Sequence, residues 1–344
     1  MSTTRSPILS VGGPSGLPTA GAGAPMVMDL FEKSDAETIA GATIILYGAS
    51  GLAKSTNAKF FARYMYEKSG GKPVRLVTFE DSTKLIFQPL IDSQIVQPLF
   101  VTKSTNPLVL LRRVSKGDWP IFDDRGGVKG WQAKADWVGQ ISAYVIEGLS
   151  SGSEQLLEFF REMGWFLREQ KADSIDTLGE KFSTSSQTSY GVVQLEMLRA
   201  LKSFGMLPVD RILWTAHEGS GVEDSEAIRG PALVGKAGTG AIQKYCGLLI
   251  HAEGVKEANS AVFRPRFFFK RHADPKLTTI SYPAKTTMPS EMVVDLDKTF
   301  PGGFFDPALT YGTGLDKFLK FEAELIKTAT DQISAWKAGI KGEK

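Results

Sequence analysis

Residues 48–56, Gly48-Ala49-Ser50-Gly51-Leu52-Ala53-Lys54-Ser55-Thr56, constrain this chain more than any other stretch. They match the phosphate-binding loop pattern G-x-x-x-x-G-K-[ST], with Ala53 standing where the second glycine belongs. The flanks narrow the geometry further. Ala42 to Tyr47 is a short apolar, β-branched run that suits a buried strand. After Lys54, the residues Ala58, Phe61, Ala62 and Met65 share one helical face, and Gly70-Gly71 ends the run. Strand, tight loop and helix in that order aim backbone N–H groups and a positive helix end at a phosphate. Lys54 then neutralises phosphate charge, and the Ser55 hydroxyl completes the shell of a Mg²⁺ ion. A Gly/Ala/Ser-rich turn that merely precedes a lysine is the competing account, and it leaves the strand and helix unexplained. A methyl group at position 53 crowds the phosphates, so the loop speaks for nucleotide binding before it speaks for fast hydrolysis.

Beyond the loop the chain alternates between strand and helix patterns. Lys72 to Asp81 reads as a strand ending in two carboxylates, and Ile95 to Thr102 as a further strand. Lys116 to Gly130 looks like an excursion rich in Gly and Asp. Ile141 to Ile146 is the next strand. Ser151-Gly-Ser-Glu154 has capping-box spacing and predicts a helix start, with Leu156, Leu157, Phe160, Met163 and Leu167 as its apolar face. A helix over Gln187 to Phe204 ends at Gly205, a strand follows over Arg211 to Ala216, and Gln243 to His251 supplies one more apolar run. Such alternation predicts an α/β fold with a mainly parallel sheet covered by helices on both faces. Its ligand belongs at the carboxyl ends of the strands.

A length of 344 residues, with 42% hydrophobic and 23% charged residues, fits one enlarged α/β domain. The expected organisation is a disordered tail over residues 1–27, rich in Gly, Pro, Ser, Thr and Ala, a core over 28–290, and a C-terminal extension over 291–344. Leu315 to Lys337 carries helical apolar spacing through Phe318, Leu319, Leu325, Ile326, Ile333 and Trp336, and is expected to pack on the chain's own core. A net charge of +2 leaves any nucleic-acid contact to a local patch. The single cysteine, Cys246, lies in an apolar stretch and reads as a buried thiol in a reducing compartment. His217, His251 and His272 lack zinc-site spacing. No apolar run is long enough to cross a bilayer, and the N-terminus lacks a secretory apolar block, so a cytoplasmic protein without a membrane partner is expected.

Several residues fit nucleotide chemistry. Glu147 directly follows the apolar Tyr144-Val145-Ile146, where a second metal carboxylate belongs. Glu80 and Asp81 end the neighbouring strand, and one of them can activate water; alternation along a strand allows only one to face the site, and Glu80 is the choice. Thr215, His217 and Glu218 end another strand, in position to touch a γ-phosphate. The stretch Gly219 to Gly240 reads as a long loop, with Arg229 and Lys236 as candidates to act in trans on a neighbour's nucleotide. Arg264, Arg266, Lys270 and Arg271 surround Phe267-Phe268-Phe269, the make-up of a single-strand stacking surface. The favoured account of that segment is an alternating strand with a charged outer face.

With these elements placed, the chain resembles RecA-like P-loop ATPases, especially the phage-encoded group linked to single-strand annealing and recombination. The resemblance runs from Thr43 to about Lys285. It is carried by Gly48–Thr56, Glu80-Asp81, Tyr144-Val-Ile-Glu147-Gly-Leu-Ser-Ser, Trp214-Thr-Ala-His217-Glu218 and Arg229-Gly-Pro-Ala-Leu-Val-Gly-Lys236. It implies ATP and Mg²⁺ as ligands, with Lys54 and Ser55 on phosphate and metal. Glu147 takes the place of the second metal carboxylate, Glu80 of the catalytic acid and His217 of the sensor. It further implies a homo-oligomer acting on single-stranded DNA, in a host cytoplasm if phage-encoded. Ala53 for glycine and Glu147 for aspartate depart from the pattern. A nucleotide-binding scaffold with little hydrolysis and a DNA-packaging motor are the alternatives. A small-molecule kinase is disfavoured by the lack of an arginine-rich lid.

Overall fold

The computed structural model describes residues 43–101, 106–123, 127–169, 186–223, 226–256, 263–269, 271–273, 281–282, 284, 311–324, 327–328 and 331. The expected tail over 1–27 lies outside them, as do Leu325, Ile326, Ile333 and Trp336 of the last apolar pattern. The phosphate-loop strand β1 (Thr43–Gly48) is buried at every residue and pairs in parallel on both sides. Its partners are β7 (Arg211–Glu223) and β9 (Leu248–Lys256). A strand covered on both faces has no polar side to show, which is why it reads as a continuous apolar run. Beyond β7 the sheet continues in parallel through β6 (Ala143–Glu147), β2 (Val74–Thr78) and β3 (Val96–Phe100). On the other flank β10 (Phe263–Phe268) closes the path antiparallel to β9. Each end strand of this path carries a proline, Pro98 in β3 and Pro265 in β10. Proline lacks the N–H that a further strand would pair with, so it blunts both edges.

Helices cover the two faces. On one face lie α1 (Lys54–Lys68) and α2 (Thr83–Asp92), with Phe61, Met65 and Phe87 fully buried against Leu46, Val145 and Leu213. The helix over 315–324 joins that layer through Leu315, Phe318 and Leu319. The opposite face is covered by α3 (Pro107–Val114), α4 (Leu149–Glu169) and α5 (Ser186–Phe204), packed on Tyr144, Ile146 and Trp214. The expected mainly parallel sheet with helices on both faces is the architecture observed.

Local expectations were modified in three places. The helix after Glu147 begins at Leu149, two residues before the capping-box serine, so Ser151 lies inside it; Met163 on that helix is exposed. The stretch Lys116 to Gly130 contains β4 (Trp119–Phe122) and joins β5 (Val128–Gln132) in a hairpin. Arg75 on β2 ties that hairpin to the sheet. Its buried guanidinium lies 4.5 Å from the Trp119 ring and 4.6 Å from Trp137, and donates to Gln132 Oε1 at 2.7 Å and to the Tyr144 hydroxyl at 2.8 Å. Finally, Gly219 to Gly240 is no structureless loop. β7 runs on to Glu223, turns back as β8 (Glu226–Pro231), and is followed by the short helix α6 (Lys236–Ala241).

The helix over 315–324 is fastened at both ends of α1. Leu315 N–H donates to Asn57 Oδ1 at 2.9 Å, and the Tyr64 hydroxyl donates to the Leu319 carbonyl at 3.4 Å. Arg211, at the start of β7, meets Glu322 in a buried ion pair at 2.8 Å. Removing one member of such a pair strands a buried charge. Arg211→Met is therefore expected to lower unfolding free energy by about 3–5 kcal/mol in chemical denaturation, while Arg211→Met with Glu322→Leu recovers most of that loss.

Candidate nucleotide site

The carboxyl ends of β1, β2 and β6 meet β7 at one place. Gly48 lies opposite His217 of β7 and Ala252 of β9, and a Cβ on Gly48 would fall 2.2 Å from the Ala252 carbonyl oxygen. Only glycine lets the chain leave the sheet there. The loop tip, Ala49 to Gly51, is exposed, whereas Leu52 turns inward to the core. Ala53 then adopts φ 53° and ψ 29°, the left-handed conformation, as the N-cap of α1. The usual glycine at this position thus has a backbone reason besides space near the phosphates. The Ala53 carbonyl is gripped twice by Asn57, through its N–H and its side-chain amide, both at 3.0 Å.

Lys54 is buried, and its ammonium donates to the carbonyls of Gly48 at 2.9 Å and Ala49 at 2.7 Å. Burial draws its pKa down, against the opposing pull of Glu147, Glu80 and Glu218. Ser55 donates its hydroxyl to Glu147 Oε2 at 2.8 Å. Glu147 is 1% exposed, and its Oε1 is buried with no hydrogen-bond partner. Burial raises this carboxyl to about 7, helped by the Glu80 charge and opposed by the hydroxyls of Ser55 and Thr215 and by the Lys54 charge. An orphaned carboxylate oxygen beside a hydroxyl, next to a loop with the phosphate-binding pattern, fits a hard cation with oxygen ligands. Ser55 and Glu147 would hold it. Among the described residues no group of three His, Cys, Asp or Glu side chains gathers for a metal.

Glu80 lies just past β2, and Thr78 fixes its backbone: the Thr78 hydroxyl donates to the Glu80 carbonyl and accepts from the Glu80 N–H, both at 3.0 Å. Its side chain turns inward while Asp81 is exposed. Oε1 of Glu80 accepts from the Ser151 hydroxyl at 2.9 Å and lies 3.6 Å from His217 Nε2. His217 holds the Glu80 carboxyl below its ordinary range, with the Ser151 hydrogen bond adding to this against burial. Gly148, at φ 85°, makes room: a Cβ there would sit 2.8 Å from Glu80 Oε1. Lys54, Ser55, Glu80, Glu147 and His217 are therefore assembled in one place. Sequence reasoning missed Ser151 as a partner of Glu80, because capping-box spacing explained it at a helix start. It also missed Ser150, whose hydroxyl accepts from the His217 N–H at 2.9 Å and donates to the Ala232 carbonyl at 3.0 Å.

The remaining candidates are placed differently. Arg229 sits on β8, where its guanidinium pairs with Glu218 of the same chain at 3.5 Å; Glu218 in turn lies 3.4 Å from the buried His251. Lys236 opens α6. Arg264 and Arg266 belong to β10, Lys270 lies outside the described residues, and Arg271 donates to Ser281 Oγ at 2.9 and 3.1 Å. Phe267 and Phe269 are buried in the core, and Phe268 stacks on His251 with Arg266 4.7 Å from its ring. The alternating-strand account describes this segment.

No family model matches the sequence, and the search of curated proteins returns no match. Matching solved structures include a KaiC-like protein from the hyperthermophilic archaeon Pyrococcus horikoshii. It is 14% identical, with 66% of this chain and 77% of that chain covered at a TM-score of 0.34. A superposition that loose transfers no residue role. No helix among the described residues is long and apolar enough to cross a membrane.

Two outcomes follow from this geometry. A left-handed L-residue costs roughly 1–2 kcal/mol, and glycine's extra freedom in the unfolded chain offsets about 0.4–1 kcal/mol of that. Ala53→Gly should therefore stabilise the protein by about 0.5–1 kcal/mol in denaturant titration. The second outcome concerns pH. The Glu147 carboxyl sits at about 7 in the fold, above its ordinary 4.5, so the folded chain binds this proton more tightly than the unfolded one. In metal-free buffer that contribution is present below pH 4.5 and is lost as pH rises through 7. Glu147→Gln keeps the side chain neutral. Its stability advantage over wild type should open across that window to about 1–3 kcal/mol and then level off, as read by unfolding at a series of pH values.

Proposed function

We propose that this chain is a Mg²⁺-dependent ATPase of RecA-like type. The observation that carries the proposal is the Ser55–Glu147 hydrogen bond with its orphaned Oε1, set beside Lys54 and within one turn of helix from the residue that holds Glu80. Entering phosphates meet the N–H groups of the loop and the first turn of α1, and the Lys54 ammonium exchanges the Gly48 and Ala49 carbonyls for phosphate oxygens. A bound Mg²⁺ would supply neutralisation of the phosphate charge. Ser55 and Glu147 would hold that metal. Glu80 accepts a proton from water as the water oxygen bonds to the γ-phosphorus. The bond from that phosphorus to the β–γ bridging oxygen breaks, and ADP carries the electron pair away. His217 steadies the Glu80 carboxylate from 3.6 Å.

Single-stranded DNA as activator and assembly into a homo-oligomer are part of the same proposal, supported by the resemblance of the motif set. Exposed Arg271 and the half-exposed Arg229 on the β7–β8 hairpin are cations that such partners would meet. A scaffold that binds ATP without turning it over is the second reading. The left-handed Ala53 in place of the usual glycine favours it.

ATP turnover by the purified chain, with and without single-stranded DNA across a Mg²⁺ titration, separates these readings. Turnover is expected, stimulated by DNA. Lys54→Ala should abolish it and weaken ATP binding, and Glu80→Gln should leave binding intact while turnover falls ~10²–10⁴-fold. Tight ATP binding without turnover in any condition favours the scaffold, and a Lys54→Ala protein that binds and hydrolyses normally overturns nucleotide chemistry at this loop.

A further inference from the structure

We infer that Ser151 is a positioning residue for hydrolysis: its hydroxyl fixes the Glu80 carboxylate so that the second oxygen, Oε2, faces the attacking water. This deepens the ATPase proposal and rests on it. The geometry is specific. Both close polar contacts of the Glu80 carboxylate fall on one oxygen, Oε1, which accepts from Ser151 at 2.9 Å and lies 3.6 Å from His217 Nε2. A carboxylate held by one oxygen has its plane and its other oxygen set, which is what proton transfer in a fixed pose requires. The backbone on either side of the carboxyl is also fixed. Thr78 clasps the Glu80 main chain from two sides, and the Thr83 N–H reaches the Glu80 carbonyl at 3.3 Å.

Ser151 is well placed to couple the two carboxylates. It lies in the first turn of α4, the helix that begins two residues after Glu147. That turn is anchored independently of Glu80. The Gly148 N–H donates to Thr215 Oγ1 at 3.1 Å, Gly152 N–H donates to the Gly148 carbonyl at 2.7 Å, and Gln155 Nε2 donates to the Phe79 carbonyl at 2.8 Å. The metal carboxylate and the water-activating carboxylate are thus set by one rigid segment, Glu147 to Gln155. The lack of a side chain at Gly148 belongs to the same device, because a Cβ there would occupy the place of Glu80 Oε1. In the step itself the water oxygen bonds to the γ-phosphorus, the bond to the bridging oxygen breaks, and the water proton passes to Glu80 Oε2. Ser151 keeps its own proton on the hydrogen bond to Oε1 throughout.

The experiment is steady-state ATP turnover by the full-length chain carrying Ser151→Ala, Ser151→Thr, Glu80→Gln and the double change Ser151→Ala with Glu80→Gln. Ser151→Ala should lower kcat ~10–100-fold with KM for ATP within twofold, the scale of a misplaced catalytic group. Ser151→Thr keeps the hydroxyl and should restore most of kcat. In the Glu80→Gln background, Ser151→Ala should add no further loss, because the group it orients is already disabled. Unchanged kcat in Ser151→Ala overturns the inference. So does a full additional loss in the double variant, or a rise in KM that accounts for the defect. Absence of turnover in the wild-type chain overturns the hydrolase proposal together with this inference. Wild-type turnover that Glu80→Gln removes, combined with a normal Ser151→Ala enzyme, sinks the inference alone.

Discussion

The site is organised around a buried carboxylate that the fold leaves half-satisfied. Glu147 ends a fully buried central strand, takes one hydrogen bond from Ser55 on Oε2, and has none on Oε1. Water cannot compensate it at 1% exposure. Burying a charge without partners is expensive, and the carboxyl responds by holding its proton up to about 7. The Lys54 charge opposes this only through space, since the ammonium's hydrogen bonds go to the carbonyls of Gly48 and Ala49. An arrangement of this kind is unstable toward a small divalent cation, which would satisfy Oε1 and the Ser55 oxygen together. In the proposed site the destabilising group and the metal ligands would be the same atoms.

Everything near that carboxylate is fixed by parallel pairing. Gly48, His217 and Ala252 lie in one row across β1, β7 and β9, and Thr78 pairs with Glu147 across β2 and β6. Registers of this sort bring strand ends from distant sequence positions to one line without any long-range side-chain contact to define them. The glycines then permit what the register demands. Gly48 allows β1 to pass the Ala252 carbonyl, and Gly148 allows β6 to pass the Glu80 side chain. A methyl group at either place would push apart two strands or displace a carboxylate.

Much of this was legible in the sequence because it is local. The loop, its strand and the α1 face of Ala58, Phe61, Ala62 and Met65 follow from spacing alone, and all four of those side chains are fully buried. Glu147 and Glu80 were legible because apolar runs end beside them. What was not legible depends on contacts distant in sequence. Ser151 meets Glu80 across 71 positions, and Asn57 meets Leu315 across 258. No period or cap records such a pairing. The capping-box pattern at Ser151 even pointed the other way, since the helix begins earlier and frees that hydroxyl for Glu80. The glycine-rich composition of 219–240 suggested a loop, whereas main-chain pairing of Glu218 with Pro231 through Glu223 with Glu226 makes it a hairpin. Backbone hydrogen bonds do not require β-branched side chains, so composition understates them. At Phe267–Phe269 the favoured alternating-strand account places two of the three aromatics in the core, where they are found.

The extension of β7 past the sheet gives that strand two audiences. Side chains alternate along it. Thr215 and His217 face the side of Glu80 and Glu147, one holding the Gly148 N–H and the other near Glu80. Glu218 faces the opposite side, between Arg229 and His251. His251 is itself stacked on Tyr282 at 4.2 Å and tilted against Tyr47 at 4.9 Å, so Glu218 is anchored to the aromatic layer behind β1. The backbone of the same strand is gripped from the α4 side, where Ser150 binds the His217 N–H and the Ala232 carbonyl at once. A shift of His217 relative to Glu80 therefore cannot occur alone. It must move the Glu218–Arg229 pair, the start of the segment leading to α6, or the first turn of α4, the same turn that carries Ser151. Strand alternation and one bridging serine are enough to make the two ends of this site mechanically dependent.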